Sequence, residues 1–68
     1  MGRDELWVVA ACFNEESLIC QFMETVLQLE QVDRLVLMDD GSSDSTVSVI
    51  RAWQKDHPHA PVTLLELT

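Results

Sequence analysis

The sequence predicts an α/β fold: a Rossmann-like β-α-β-α-β unit with a three-stranded parallel sheet. Three observations carry that expectation. Three short apolar runs of strand length alternate with two stretches of helical periodicity. The segments joining the runs are long enough for right-handed crossovers, which parallel pairing requires. Both unusual polar clusters, "CFNEE" and "DDGSSD", directly follow an apolar run, where open α/β sheets place their ligands.

The first run, "LWVVAA" (Leu6 to Ala11), is continuously apolar and reads as a strand covered on both faces. It stops at "CFNEE". There Asn14 is expected to cap a helix, with Glu15 and Glu16 in its first turn, where negative charge suits the helix dipole. From Glu16 onward, Leu18, Ile19, Phe22, Met23, Val26, Leu27 and Leu29 make one wide stripe. Gln21, Glu24, Thr25 and Gln28 fall on the other face, so this is a helix packed on a sheet, ending near Glu30.

Leu35 to Met38 is the second buried strand, and "GSSD" follows as a turn. Ser43 or Asp44 is placed to cap a second helix that carries Val47, Val49, Ile50 and Trp53. Pro58 ends it by pushing His57 out of the helical region. Val62 to Leu67 reads as the third strand.

Sixty-eight residues make a single, partial domain spanning 1–68. A chain this short buries only about 60% of its unfolded surface, so its stability is marginal. Apolar residues make up 47% of it, with two glycines and two prolines, which suits a packed unit and not a disordered tail. Twelve acidic against four basic residues give a net charge of −8. That surface repels phosphate backbones and anionic membranes, which excludes nucleic acid as a partner. A phosphate-bearing ligand would need a divalent cation or basic residues from outside the segment.

Cys12 and Cys20 have no C-x-x-C spacing and read as small packing residues, reduced in a cytoplasmic compartment. No apolar run approaches the ~18–20 residues of a membrane helix, and no secretory signal is visible. A soluble segment is expected, with a membrane anchor elsewhere in a longer parent left open.

Neither G-x-G-x-x-G nor G-x-x-x-x-G-K-[ST] occurs, so a dinucleotide fingerprint and a P-loop are both unsupported. "DDGSSD" also lacks the alternating ligands of an EF-hand. At a strand terminus beside a helix start, Asp39 can accept hydrogen bonds from a base or ribose. Gly41 permits positive φ and close approach, Asp40 can orient the loop, and Ser42 and Ser43 supply local bonds. The same residues are ordinary turn formers, so local chemistry alone fits a turn as well as a ligand loop. Convergence of two such loops on one sheet edge favours binding.

Other features read as structural. His57 and His59 flank Pro58 in a solvent-facing turn, and Trp7 and Trp53 are expected in the core or across an interface. Glu15 and Glu16, adjacent at a helix start, point apart and make no acid/base dyad.

"VVAACFNEESL", a helix, and then "LVLMDDGSSDST" together resemble the opening of family 2 glycosyltransferases of the GT-A fold. Those enzymes typically show a strand, P-x-[YF]-N-E-E, a helix, a strand and D-D-G-S-x-D-x-T. The resemblance covers nearly the whole chain, with both motifs in order on matching elements. It implies that the two loops hold the nucleotide of a UDP- or GDP-sugar donor. Ala11 and Phe13 would lie against the base, and Glu15 would reach the ribose or base. Leu37 would contact the nucleotide through its backbone, Asp39 would hydrogen-bond the base, and Asp40 would be the loop's structural partner. Ala11 stands where the family usually has proline, and Phe13 where tyrosine is usual, which keeps a stacking face and loses a hydroxyl.

The resemblance further implies glycosyl transfer to a lipid-phosphate or saccharide acceptor on the cytoplasmic side. It implies Mg²⁺ or Mn²⁺ held by a D-x-D motif further along a full chain. These 68 residues contain no D-x-D, so no metal ligand and no catalytic residue is assigned, and the segment is expected to be inactive alone. Two rivals stay open: a nucleotide-binding or regulatory module without chemistry, and an acidic α/β signalling domain binding Mg²⁺. The second also needs a phosphorylatable aspartate at a later strand end and a lysine beyond it, and the sequence has neither. Three strands and two helices cannot cover both sheet faces, so self-association through the incomplete sheet is also expected.

Overall fold

The computed structural model describes residues 4–67; Met1 to Arg3 and Thr68 lie outside the description. The elements are β1 (Trp7–Cys12), α1 (Ile19–Leu27), β2 (Arg34–Asp39), α2 (Thr46–Asp56) and β3 (Val62–Glu66). The strands form one parallel sheet in the order β1-β2-β3. This is the expected β-α-β-α-β unit.

The register places Val8, Ala10 and Cys12 beside Leu35, Leu37 and Asp39. On the far side of β2, Val62 lies opposite Leu35 and Leu64 opposite Leu37. Side chains alternate faces along a strand, so these residues share one face. That face holds the core: Cys12, Leu35, Leu37 and Val62 cluster with Ile19, Met23 and Val26 of α1 and Ile50 and Trp53 of α2. Both helices therefore cover the same side, as two successive right-handed crossovers in one direction dictate.

The opposite face is open among the described residues. Trp7 and Val9 are 53% and 58% exposed there, and Leu65 is 45% exposed. Val36 is buried but stands apart from the core cluster, shielded by flanking strands. The expectation of a first strand covered on both faces is thus corrected: two helices of the same crossover sense cannot reach the second face. Trp7 is likewise not in the core, and its ring lies 5.8 Å from the Arg34 guanidinium. Trp53 is buried as expected.

The start of α1 also differs. Asn14 has φ 54°, in the left-handed region, whereas an N-cap has β-region geometry. A turn intervenes, in which the Leu18 and Ile19 amides both donate to the Glu15 carbonyl at 2.9 Å. Glu15 and Glu16 therefore precede the helix, and its first turn holds no acidic residue. The helix stops at Leu27, and its buried stripe narrows to Ile19, Met23 and Val26, leaving Leu18 and Leu29 exposed. At α2 the N-cap falls on Ser45, which makes no side-chain capping bond, so the expected cap by Ser43 or Asp44 is not made. The Asp44 carboxylate instead accepts the Thr46 amide at 2.9 Å in a turn that leads into the helix. The helix ends with His57 at φ −129°, its ring stacked on Trp53 at 4.0 Å. No described helix is long and apolar enough to cross a membrane.

Candidate functional site

The pairing of Cys12 with Asp39 brings the chain out of β1 and β2 side by side at their carboxyl ends. The Asp40 amide continues that ladder by donating to the Cys12 carbonyl at 3.0 Å. Loops 13–18 and 40–45 then bond to each other. The Asn14 amide donates to Ser42 Oγ at 2.9 Å, and Asn14 Oδ1 accepts the Ser43 and Asp44 amides at 2.8 and 3.3 Å. The Glu15 amide donates to Thr46 Oγ1 at 2.8 Å, and the Thr46 hydroxyl in turn donates to Asp44 Oδ1. At the outer edge, Glu16 accepts the Ser45 amide at 3.2 Å.

Left-handed φ explains why an asparagine stands at position 14. Asparagine tolerates that region better than most side chains, and there its amide and side-chain oxygen both face the second loop. Gly41, at φ 73°, makes the corresponding turn after Asp40. Thr46 is fully buried, so both bonds of its hydroxyl are made away from water.

Asp39 is 2% exposed and points into this junction. Ser42 donates to it twice, from its amide to Oδ2 at 3.0 Å and from its hydroxyl to Oδ1 at 2.5 Å. The Cys12 thiol lies 3.8 Å from Oδ1. Burial pushes the Asp39 pKa upward, but the bonds from Ser42, Cys12 and the Gly41 amide outweigh it, and the net shift is downward. The same burial, together with the Asp39 charge, pushes the Cys12 thiol upward, so it stays protonated and donating. The carboxylate of Asp39 is therefore tied to the loop through Ser42. Asp40 is exposed at the strand end.

Beside the junction lies a cleft of about 270 Å³ between the free edge of β1 and the start of α1. Ala11, Glu15 and Leu37 line it with Ala10, Cys12, Leu18, Ile19 and Phe22. Phe13 is not among the lining residues; it is 54% exposed in the loop after β1 and is not a core residue. Leu37 belongs to the central strand, with neighbours Ala10 and Leu64 on either side. Asn14 and Thr46 tie the loops together yet stand outside the site read from the sequence. The signal for Asn14 was its known tolerance of positive φ; for Thr46 it was a hydroxyl at a buried helix start.

The donor set does not suit a divalent cation. Asp39 and Asp44 are committed to Ser42 and Thr46. Among the described residues no three His, Cys, Asp or Glu side chains converge to hold a metal ion.

The family model "Glycosyl transferase family 2" matches residues 7–66. Over 48 residues the chain is 35% identical to a poly-beta-1,6-N-acetyl-D-glucosamine synthase of Staphylococcus epidermidis, covering 69% of this chain and 12% of that protein. Over 51 residues it is 35% identical to an uncharacterized protein, MJ1222, of Methanocaldococcus jannaschii, covering 75% of this chain and 21% of that one. Among solved structures, the mannosyltransferase PcManGT of Pyrobaculum calidifontis, in complex with GDP-Man and Mn²⁺, superposes with a TM-score of 0.86 at 28% identity. That match covers 98% of this chain and 20% of the mannosyltransferase chain. The chain thus spans 12–21% of the length of these relatives. It belongs to glycosyl transferase family 2 and forms the Rossmann-like N-terminal part of a GT-A fold.

Proposed function

We propose that this chain is the nucleotide-binding part of a glycosyltransferase using a UDP- or GDP-sugar donor and a lipid-phosphate or saccharide acceptor. The observation that carries the reading is the bonding of the two post-strand loops into a single rim beside the cleft. A preformed rim avoids the entropy of ordering two loops when ligand arrives. Phe13 offers an exposed aromatic face for a base, and Ala11 leaves room beside it. Glu15, the one carboxylate lining the cleft, is placed to accept from ribose hydroxyls.

Asp39 is too enclosed to meet a base as it stands, so it binds one by trading a Ser42 bond for a base N–H. An ionised carboxylate has about four acceptor sites, and the exchange leaves the remaining bonds in place. Asp40 frames the rim from its exposed position. The GDP-Man and Mn²⁺ of the mannosyltransferase neighbour support a nucleotide-sugar donor and a divalent cation. A D-x-D motif would hold that cation in enzymes of this kind, and residues 1–68 contain none. The role of these residues is to bind and orient the nucleotide, and the segment alone binds without turnover. Free Cys12 and Cys20 fit a reducing, cytoplasmic setting.

Calorimetric titration with GDP and UDP tests the assignment of Asp39. The wild-type chain binds one of them at millimolar concentration, and Asp39→Ala binds about tenfold or more weakly, as loss of hydrogen bonds to an ionised acceptor predicts. Equal affinity in Asp39→Ala would remove Asp39 from the site.

A further inference from the structure

Asn14 makes more cross-loop contacts than any other residue of the rim. It donates its amide to Ser42 Oγ at 2.9 Å while its side-chain oxygen accepts the Ser43 and Asp44 amides at 2.8 and 3.3 Å. Ser42 is also the residue that grips both oxygens of Asp39. A continuous chain of bonds therefore runs from Asn14 through Ser42 to the Asp39 carboxylate. Every bond Asn14 makes with loop 40–45 depends on the left-handed backbone at φ 54°. The rim is exposed on the side of Asn14 and Ser43 and buried on the side of Asp39, so the outer bonds open first and the inner ones depend on them.

We propose that Asn14 is a positioning residue whose clamp on loop 40–45 must be closed for the nucleotide to bind. The inference rests on the reading of this rim as a nucleotide site. The binding-competent state is the one in which the clamp keeps Ser42 on Asp39 by the bond that remains after the base takes the other, and the apparent affinity scales with the fraction of molecules whose clamp is closed. Nucleotide binding and clamp closure are then linked in both directions. Ligand holds the clamp shut, and weakening the clamp costs affinity.

Asn14→Gly separates the side chain from the backbone. Glycine keeps the positive φ and the amide that reaches Ser42, and removes only the acceptor for Ser43 and Asp44. Titrations with GDP and UDP are expected to show affinity lowered about tenfold, and Asn14→Asp, which retains an acceptor oxygen, is expected to recover most of it. Hydrogen exchange on the wild-type chain gives a measurement that needs no variant. With nucleotide at ten times its dissociation constant, exchange of the Ser43 and Asp44 amides slows about tenfold, because opening must now also expel the ligand. Asn14→Gly binding as tightly as wild type, or unchanged exchange of those amides under saturating nucleotide, overturns the clamp. If the wild-type chain binds neither nucleotide, the nucleotide reading itself fails and the inference falls with it.

Discussion

Asp39 concentrates the local physics of this chain in one carboxylate. It is almost fully enclosed, yet its pKa is lowered because Ser42, Cys12 and Gly41 all donate to it. The sign of the pH dependence follows. Its folded value lies below its unfolded value, so its ionised form stabilises the fold fully above about pH 4, and that contribution is lost as pH falls through the folded value. Asp39→Asn should therefore be less stable than wild type at pH 6, with the gap between their urea midpoints narrowing as pH falls below about 4. A gap independent of pH would mean that the carboxylate is not the stabilising species. Asp44, also shifted down, chiefly by the Thr46 hydroxyl, leaves a residual acid sensitivity in both proteins. The resemblance separates the two adjacent aspartates by role, but the local sequence does not say which of them is buried. Leu35, Val36, Leu37 and Met38 are all apolar, so the sequence does not mark which parity faces the core. The pleat decides it: Asp39 shares the face of Leu35 and Leu37, and Asp40 emerges beyond it.

Strands and helices were legible because their periodicities are strong and their connections long. Boundaries were less so, and the start of α1 shows why. "NEE" fits a capped helix start by composition, but a left-handed Asn14 adds a turn first and hands its side chain to the neighbouring loop. Tertiary bonding overrode local propensity there. The sheet shows a second limit. Continuous apolar runs imply two covered faces, yet both helices cover one, leaving Trp7, Val9 and Leu65 on the other. Among the described residues β1 and β3 each pair along one side only. A second copy of the chain offers a matching apolar face, and we expect self-association that strengthens with salt, which screens the −8 charge. Sedimentation should show species heavier than the 7.7 kDa monomer, and Val9→Lys on the open face should reduce them. A compact monomer at high protein concentration would contradict this.

At the scale of the whole molecule, the site occupies one end of the sheet and the tryptophans lie away from it. Trp7 is on the open face, and Trp53 stacks on His57 beyond the last turn of α2. Indole emission is therefore a poor reporter of this cleft. The chain covers 12–21% of its relatives' lengths, and its net charge of −8 acts against an anionic ligand. What the segment itself contributes is the rim of two loops bonded to each other. An amide-resolved NMR titration of the 68-residue chain with GDP and UDP tests its role as a nucleotide site most directly. Shifts concentrated in residues 11–15 and 37–45, with the open face and the His57 turn unmoved, are the predicted result. No shift in those two segments at millimolar nucleotide would contradict it.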